Sequence, residues 1–308
     1  MESNIAGVKE EIKKAVKGKD EVITKVLAAI LAGGHIMLED IPGVGKTTLA
    51  VSISKSMELA YKRVQFTPDV LPGDILGFSV YNKNSGELEY RQGAIMCNLF
   101  LADEINRTSP KTQSALLEVM EEGSVTVDGV TRNVPEPFVV IATENPVGSS
   151  GTQLLPESQL DRFMICISMG YPSHGAAIDI LKNNKNVPLA QLQKKIDREE
   201  LLAARKQVEE IYVDDAIYDY IVTIVERTRT SEYFYAGASP RGSIALLRMA
   251  KAYAYLRERT FVSPQDIKEV LVDVLGHRVS LSSSARAKGL TTETALFELL
   301  TEIPVPRT

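Results

Sequence analysis

The stretch "LEDIPGVGKTTLA", Leu38 to Ala50, decides the fold. A short apolar run, "HIMLE", leads into "GVGKTT", and the helix-like run "KTTLAVSISKSM" follows. Strand, glycine turn, Lys-Thr and helix form the setting of a phosphate-binding loop, the Walker A pattern. Gly43 and Gly45, on either side of Val44, allow backbone N–H groups to turn inward around phosphate oxygens. The helix that starts at Lys46 adds its positive N-terminal end. Lys46 has the reach for the β and γ phosphates, the Thr47 hydroxyl is a ligand for Mg²⁺, and Thr48 continues the first turn. The expected ligands are ATP and Mg²⁺. One residue departs from GxxxxGK[ST]: Asp40 stands where the first glycine belongs. An aspartate there can cap a turn, yet it puts negative charge near a polyanion. The expectation is an intact site with weakened nucleotide affinity.

Around this stretch, strand-like and helix-like patterns alternate. "YKRVQF", "NLFLADE", "FVVIATENP" and "FMICIS" read as buried strands. "SPKTQSALLEVMEEG" reads as a helix with Ser109 as N-cap, Pro110 in the first turn and Gly123 past the end. "SVTVDGVTRNV" alternates about Asp128–Gly129, a hairpin signal, and "FTPDVLPGDILGFSVYNKNSGELEYRQG" is an insert with a turn at Asn84–Gly86. Continuous apolar strands between helices imply an α/β fold with a parallel sheet covered by helices on both faces. Beyond Tyr171–Pro172 the patterns are helical: a capping box at Asp197 and Glu200, an apolar face of Ile217, Tyr220, Ile221, Ile224 and Val225, and two Ser-Pro helix starts. The expected division is residues 1–172 as the α/β nucleotide-binding domain and residues 173–308 as an all-helical domain.

Two further strand ends carry polar groups. In "NLFLADE", Asp103 can hold the Mg²⁺ shell and Glu104 can orient and activate the attacking water. In "VIATENP", Thr143 and Asn145 can reach the γ-phosphate and that water from beside Asp103.

Bulk properties narrow the class. The 308 residues carry a net charge of −5, with 44% hydrophobic and 24% charged residues. That balance speaks against a broad nucleic-acid footprint, which shows a basic face. No apolar run approaches the roughly 20 residues that span a bilayer, and the start "MESNIAGVKEEIKKAVKGK" reads as too polar for a secretory signal. The expected location is cytoplasmic. Cys97 and Cys166 form no CxxC, and His35, His174 and His277 are scattered, which reads as buried reduced thiols and no zinc site.

"DIPGVGKT", "FLADEINR", "VIATENP", "LLPESQLDRF" and "GASPRG" occur in the order seen in AAA+ ATPases, and the flanking text closely resembles the MoxR branch. The resemblance covers Val16 to Arg278. It implies an AAA+ domain followed by a helical lid, working as a homo-oligomeric ring, hexameric in form, with active sites between neighbouring subunits. It implies that Arg162 of "LDRF" is the finger reaching a neighbour's γ-phosphate. Arg241 of "SPRG" would be the second sensor, touching its own subunit's nucleotide. Val16, Lys17 and Gly18 resemble the segment that lines the adenine, and Arg107 is a further candidate at the subunit boundary. The two inserts resemble that clade's insert in helix two and its hairpin before the first sensor. The Asp128–Gly129 tip lacks the cations of a DNA-gripping loop.

The resemblance further implies a chaperone-like ATPase that assists maturation or assembly of protein complexes. Its partners would be client proteins, including ones with a von Willebrand factor A domain. The alternatives are a metal-chelatase motor subunit and a nucleic-acid-dependent ATPase or helicase.

Overall fold

The apolar runs become strands of one sheet, and the capped segments between them become helices. A computed structural model describes residues 4–41, 43–144, 155–182 and 189–306. In chain order the first part contains α1 (Ile5–Ala15), α2 (Asp20–Leu31), β1 (Ile36–Glu39), α3 (Lys46–Ser56), β2 (Tyr61–Gln65) and α4 (Pro72–Leu76). There follow β3 (Gly77–Asn82), β4 (Glu87–Gln92), β5 (Leu99–Asp103), α5 (Pro110–Glu122), β6 (Ser124–Val127), β7 (Val130–Asn133) and β8 (Val139–Glu144). Then come α6 (Glu157–Leu160), β9 (Ile165–Ile167) and α7 (His174–Lys182).

The five-stranded sheet has the order β2-β5-β8-β1-β9. β2 with β5, β5 with β8 and β1 with β8 pair in parallel. Every residue of β5 and β8 is buried, which a strand reaches only when both faces are covered. The registers Gln65↔Asp103 and Leu38↔Thr143 bring the polar strand ends to the carboxyl edge of the sheet, where ligands of open α/β sheets bind. The two inserted segments form the separate antiparallel hairpins β3–β4 and β6–β7. Asp128 and Gly129 both have positive φ (51° and 74°), as a tight two-residue hairpin turn requires. Ser109 caps α5 by accepting the Thr112 N–H, and Gly123 ends it at φ 63°.

The later part is carried by α8 (Arg198–Glu209), α9 (Asp215–Thr230), α10 (Pro240–Leu256), α11 (Pro264–Leu275), α12 (Ser283–Ala287) and α13 (Thr292–Thr301). Ile217, Tyr220, Ile221, Ile224 and Val225 are the buried face of α9. Asp197 and Glu200 exchange backbone N–H bonds at 2.9 Å each. One short ribbon, β10 (Phe234–Ala236) against β11 (Ser280–Leu281), joins these helices; strands this short leave no alternation to read. By contacts the chain forms two units: Met1–Thr24, His35–Leu155 and Ser168–Leu201 in one, and Lys25–Gly34, Pro156–Ile167 and Leu202–Thr308 in the other. The "LDRF" stretch therefore belongs with the helices that follow.

No described helix is long and apolar enough to cross a membrane. Among the described residues, no group of three or more His, Cys, Asp or Glu is placed to hold a metal ion. Cys97 is buried and Cys166 half-buried, and neither is in a disulfide.

Candidate nucleotide site

The phosphate-loop candidate starts where β1 ends. Gly43 and Gly45 sit at φ 87° and 100°, a region that side-chain-bearing residues avoid. Gly45 is the N-cap of α3, whose first residues are Lys46, Thr47 and Thr48. Lys46 is buried, and its ammonium donates to the Asp40 carbonyl at 2.8 Å. Burial lowers its pKa, and the carboxylates of Asp103, Asp40 and Glu104 work in the opposite direction.

Asp103 ends β5, buried, with both oxygens engaged. Oδ1 accepts the Thr143 hydroxyl at 2.7 Å. Oδ2 accepts Arg63 Nε at 3.2 Å and Nη2 at 2.6 Å. The Thr143 oxygen in turn accepts the Glu104 N–H at 2.8 Å. One buried hydroxyl therefore fixes the side chain of the candidate metal-holding residue and the main chain of the candidate water-orienting residue. Glu104 stands at φ 57° and ψ 50°, a left-handed conformation, and its carboxylate pairs with Arg107 at 2.7 Å. That intrachain pair is where the structure places Arg107. Thr47 and Asp103 supply hard oxygen donors of the kind Mg²⁺ takes, so the residues fit that ion.

Asp40 does not act as the expectation of a charge facing phosphate supposes. Its carboxylate is 5% exposed. Oδ1 accepts the Ser168 hydroxyl at 2.9 Å and the Gly170 N–H at 3.1 Å, and Oδ2 accepts the Met169 N–H. The carbonyls of the same segment are held from the other side: Lys19 Nζ donates to Met169 O at 2.5 Å, Gly170 O at 3.0 Å and Tyr171 O at 2.7 Å. Lys19 directly follows Val16, Lys17 and Gly18, where α1 ends at Val16 and the chain turns through Gly18 at φ 67°. An anion thus grips the amides of residues 169–170 and a cation grips the carbonyls of 169–171, tying the adenine-side candidate to the phosphate-loop candidate.

Arg162 follows α6, and Arg241 is the second residue of α10, whose N-cap Ser239 accepts the Arg241 N–H at 3.2 Å. Asn145 lies outside the described residues. Arg63, Lys19 and Ser168 are site residues that the sequence reading does not contain. For Arg63 a signal existed: a charge inside the strand "YKRVQF", two residues before the position paired with Asp103.

Comparison with known proteins bears on this arrangement. The family described as "ATPase family associated with various cellular activities (AAA)" matches residues 35–165, and the AAA lid domain matches residues 226–299. The chain is 48% identical to YeaC of Bacillus subtilis over 96% of its length and 93% of that protein's. It is 36% identical to the Mycobacterium tuberculosis protein named Chaperone MoxR1, covering 96% of this chain and 81% of that one. It is 31% identical to Protein MoxR of Methylorubrum extorquens, covering 90% and 87%. A crystal structure of a protein from Cytophaga hutchinsonii superposes with a TM-score of 0.90 at 37% identity, over 98% of this chain and 95% of that one. With these relatives and this lysine–aspartate–glutamate constellation at the carboxyl edge of a parallel sheet, the chain is an ATPase and belongs to the MoxR family of AAA+ proteins.

Proposed function

We propose that this ATPase is a chaperone-like remodelling machine, which couples ATP turnover in a homo-oligomeric ring to the maturation or assembly of protein complexes. The observation that carries the chemistry is the shared Thr143 hydroxyl, which sets Asp103 and Glu104 relative to each other beside Lys46. In this reading Gly43 to Thr48 cradle the triphosphate. Lys46 neutralises its outer phosphates, and Thr47 and Asp103 hold Mg²⁺, which when bound offsets phosphate charge. Glu104 takes the proton of the attacking water, so it must leave or share its pairing with Arg107. Arg162 completes the neighbouring subunit's site, and Arg241 senses the nucleotide.

A protein client is favoured over nucleic acid by what the inserted hairpins expose. Phe78, Tyr81 and Leu88 on β3–β4 are 51%, 60% and 65% exposed, and Val130 beside the Asp128–Gly129 tip is 51% exposed. Apolar surface of this kind marks protein interaction sites. The kinship with Chaperone MoxR1 agrees. Partners with a von Willebrand factor A domain and a six-membered ring belong to this proposal.

The test is affinity capture with Glu104→Gln, which should bind ATP and stall hydrolysis. Proteins retained with ATP and lost with ADP support the reading. Normal hydrolysis by Glu104→Gln overturns the role of Glu104. Nucleic acid that raises turnover severalfold with steep salt dependence overturns the protein-client reading.

A further inference from the structure

The "LDRF" stretch is gripped by a single buried side chain from the far end of the same unit. Arg278, just after α11, has a side chain only 3% exposed. Its Nε donates to Asp161 Oδ1 at 2.8 Å, and Nη2 donates to Asp161 O at 3.0 Å and Phe163 O at 2.6 Å. Nη1 donates to Met164 O at 3.1 Å and to Val274 O. A guanidinium has five N–H donors in a planar fork; here they meet one carboxylate oxygen and four carbonyls. Three of those carbonyls belong to the residue before Arg162 and the two after it.

Neighbouring groups reinforce the grip. The His277 ring lies with Nε2 3.1 Å from Phe163 O. Burial first, and then the Arg278 charge, push the His277 pKa down to about 3. The other Asp161 oxygen, Oδ2, accepts the Ser239 hydroxyl at 2.8 Å, and Ser239 is the N-cap of α10, which carries Arg241. Desolvation is the main influence that makes the Arg278 charge costly, the Asp161 carboxylate offsets it, and the Arg241 guanidinium is close enough to add to the cost.

We propose that Arg278 and Asp161 are positioning residues for the Arg162 finger: they lock the main chain on both sides of Arg162 and set it in register with the first turn of α10. Neither touches the reacting atoms. A finger must meet a neighbour's phosphate within tight geometric limits, and a misplacement of about 1 Å costs on the order of 100-fold in rate. A long flexible arginine achieves that only from a fixed base. A buried fork bonded to three carbonyls around one residue supplies such a base, and a salt bridge to Asp161 alone would not. Through Asp161 and Ser239 the same lock joins finger and sensor, so that a shift of α10 moves Arg162. The inference rests on the proposed across-boundary role of Arg162.

The experiment compares full-length Asp161→Asn, Arg278→Lys and Ser239→Ala with wild type and with Arg162→Ala. It reads steady-state phosphate release, Kd for ATP, and rescue on mixing with Glu104→Gln. The Glu104→Gln chain keeps its own finger and can lend it to a neighbour. Asp161→Asn and Arg278→Lys should each lose about tenfold or more in turnover, as expected for a displaced catalytic group. Their Kd for ATP should stay within about threefold, and turnover should rise at least about fivefold on mixing, as for Arg162→Ala. Ser239→Ala removes the bond to Asp161 and the N-cap bond from the Arg241 N–H without breaking the buried ion pair, so it decides the matter if the other two fail to fold; a drop of about threefold or more, rescued on mixing, is expected. Wild-type turnover in Asp161→Asn or Ser239→Ala, or a loss that mixing does not rescue while Arg162→Ala is rescued, overturns the positioning role. Failure to rescue Arg162→Ala itself overturns the across-boundary reading, and the positioning role with it.

Discussion

The Thr143 hydroxyl and the Asp103 carboxylate meet at 2.7 Å at the adjoining ends of β8 and β5, with Thr143 fully buried. Valine in place of Thr143 keeps the shape and removes the hydroxyl. It leaves Asp103 Oδ1 and the Glu104 N–H each one partner short, at a cost of about 1–3 kcal/mol for a buried group. Thr143→Val should lower ATP turnover about tenfold or more, with the nucleotide Kd within about threefold, while Thr143→Ser stays near wild type. Equal turnover in the valine and serine variants would contradict the assignment.

Asp40 gives a prediction opposite in sign to simple charge repulsion. Glycine at position 40 restores the GxxxxGK pattern, and charge alone would then tighten ATP binding. The structure gives Asp40 the amides of Met169 and Gly170 and the Ser168 hydroxyl, so Asp40→Gly frees that segment instead. The expected outcome is a loss of roughly 2–4 kcal/mol in unfolding free energy, the scale of breaking a buried charge-assisted set, with no gain in nucleotide affinity. Tighter ATP binding at an unchanged melting temperature would sink this account.

Glu144 makes stability depend on pH. Its carboxyl is 4% exposed, and Oε1 has no hydrogen-bond partner among the described residues. Burial, and to a smaller degree the nearby Glu39, raise its pKa from 4.5 to about 7 against the pull of the Leu155 N–H. A raised acid favours folding most when protonated in both states, below about pH 4.5. That contribution is lost as pH climbs through 7, because the folded chain must give up a proton it holds more tightly. The loss from this one group amounts to about 3 kcal/mol by pH 8. Urea unfolding of Glu144→Gln at pH 5 and pH 8 should show a flatter dependence than wild type; identical slopes would remove Glu144 as the cause.

Arg63 places a cation on Asp103 from the neighbouring strand, with Nη2 at 2.6 Å from Oδ2. Removing it takes a positive charge away from the proposed Mg²⁺ position and releases one side of the carboxylate. For Arg63→Gln, the Mg²⁺ concentration giving half-maximal turnover should fall several-fold, and the maximal rate should fall as well. A midpoint that rises would show that Arg63 helps, not hinders, cation binding.

What the sequence made legible was local. Gly43, Gly45, Lys46 and Thr47 lie within one turn, and the caps at Ser109, Asp197 and Ser239 act within three residues, so residue type and spacing suffice to find them. The partners that hold the candidate residues of each unit come from afar in the chain: Arg63 is 40 residues from Asp103, Arg278 117 from Asp161, and Lys19 150 from Met169. A charged residue on a strand or helix reads as a solvated face until the fold shows what it meets. Asp40 was ambiguous for the same reason, since capping and repulsion predict the same letter and only the 168–170 segment decides between them. The β10–β11 ribbon was illegible because a pair this short owes its form to the helices around it.

Glu104 occupies a backbone conformation, φ 57° and ψ 50°, that disfavours every residue with a Cβ by about 1 kcal/mol relative to glycine. Glycine at this position would relieve that strain, and it would also lose the ion pair with Arg107. Random substitution screened only for heat resistance should therefore drift toward glycine at position 104 and discard the proposed water-activating carboxylate, a strain that persists only while turnover is under selection.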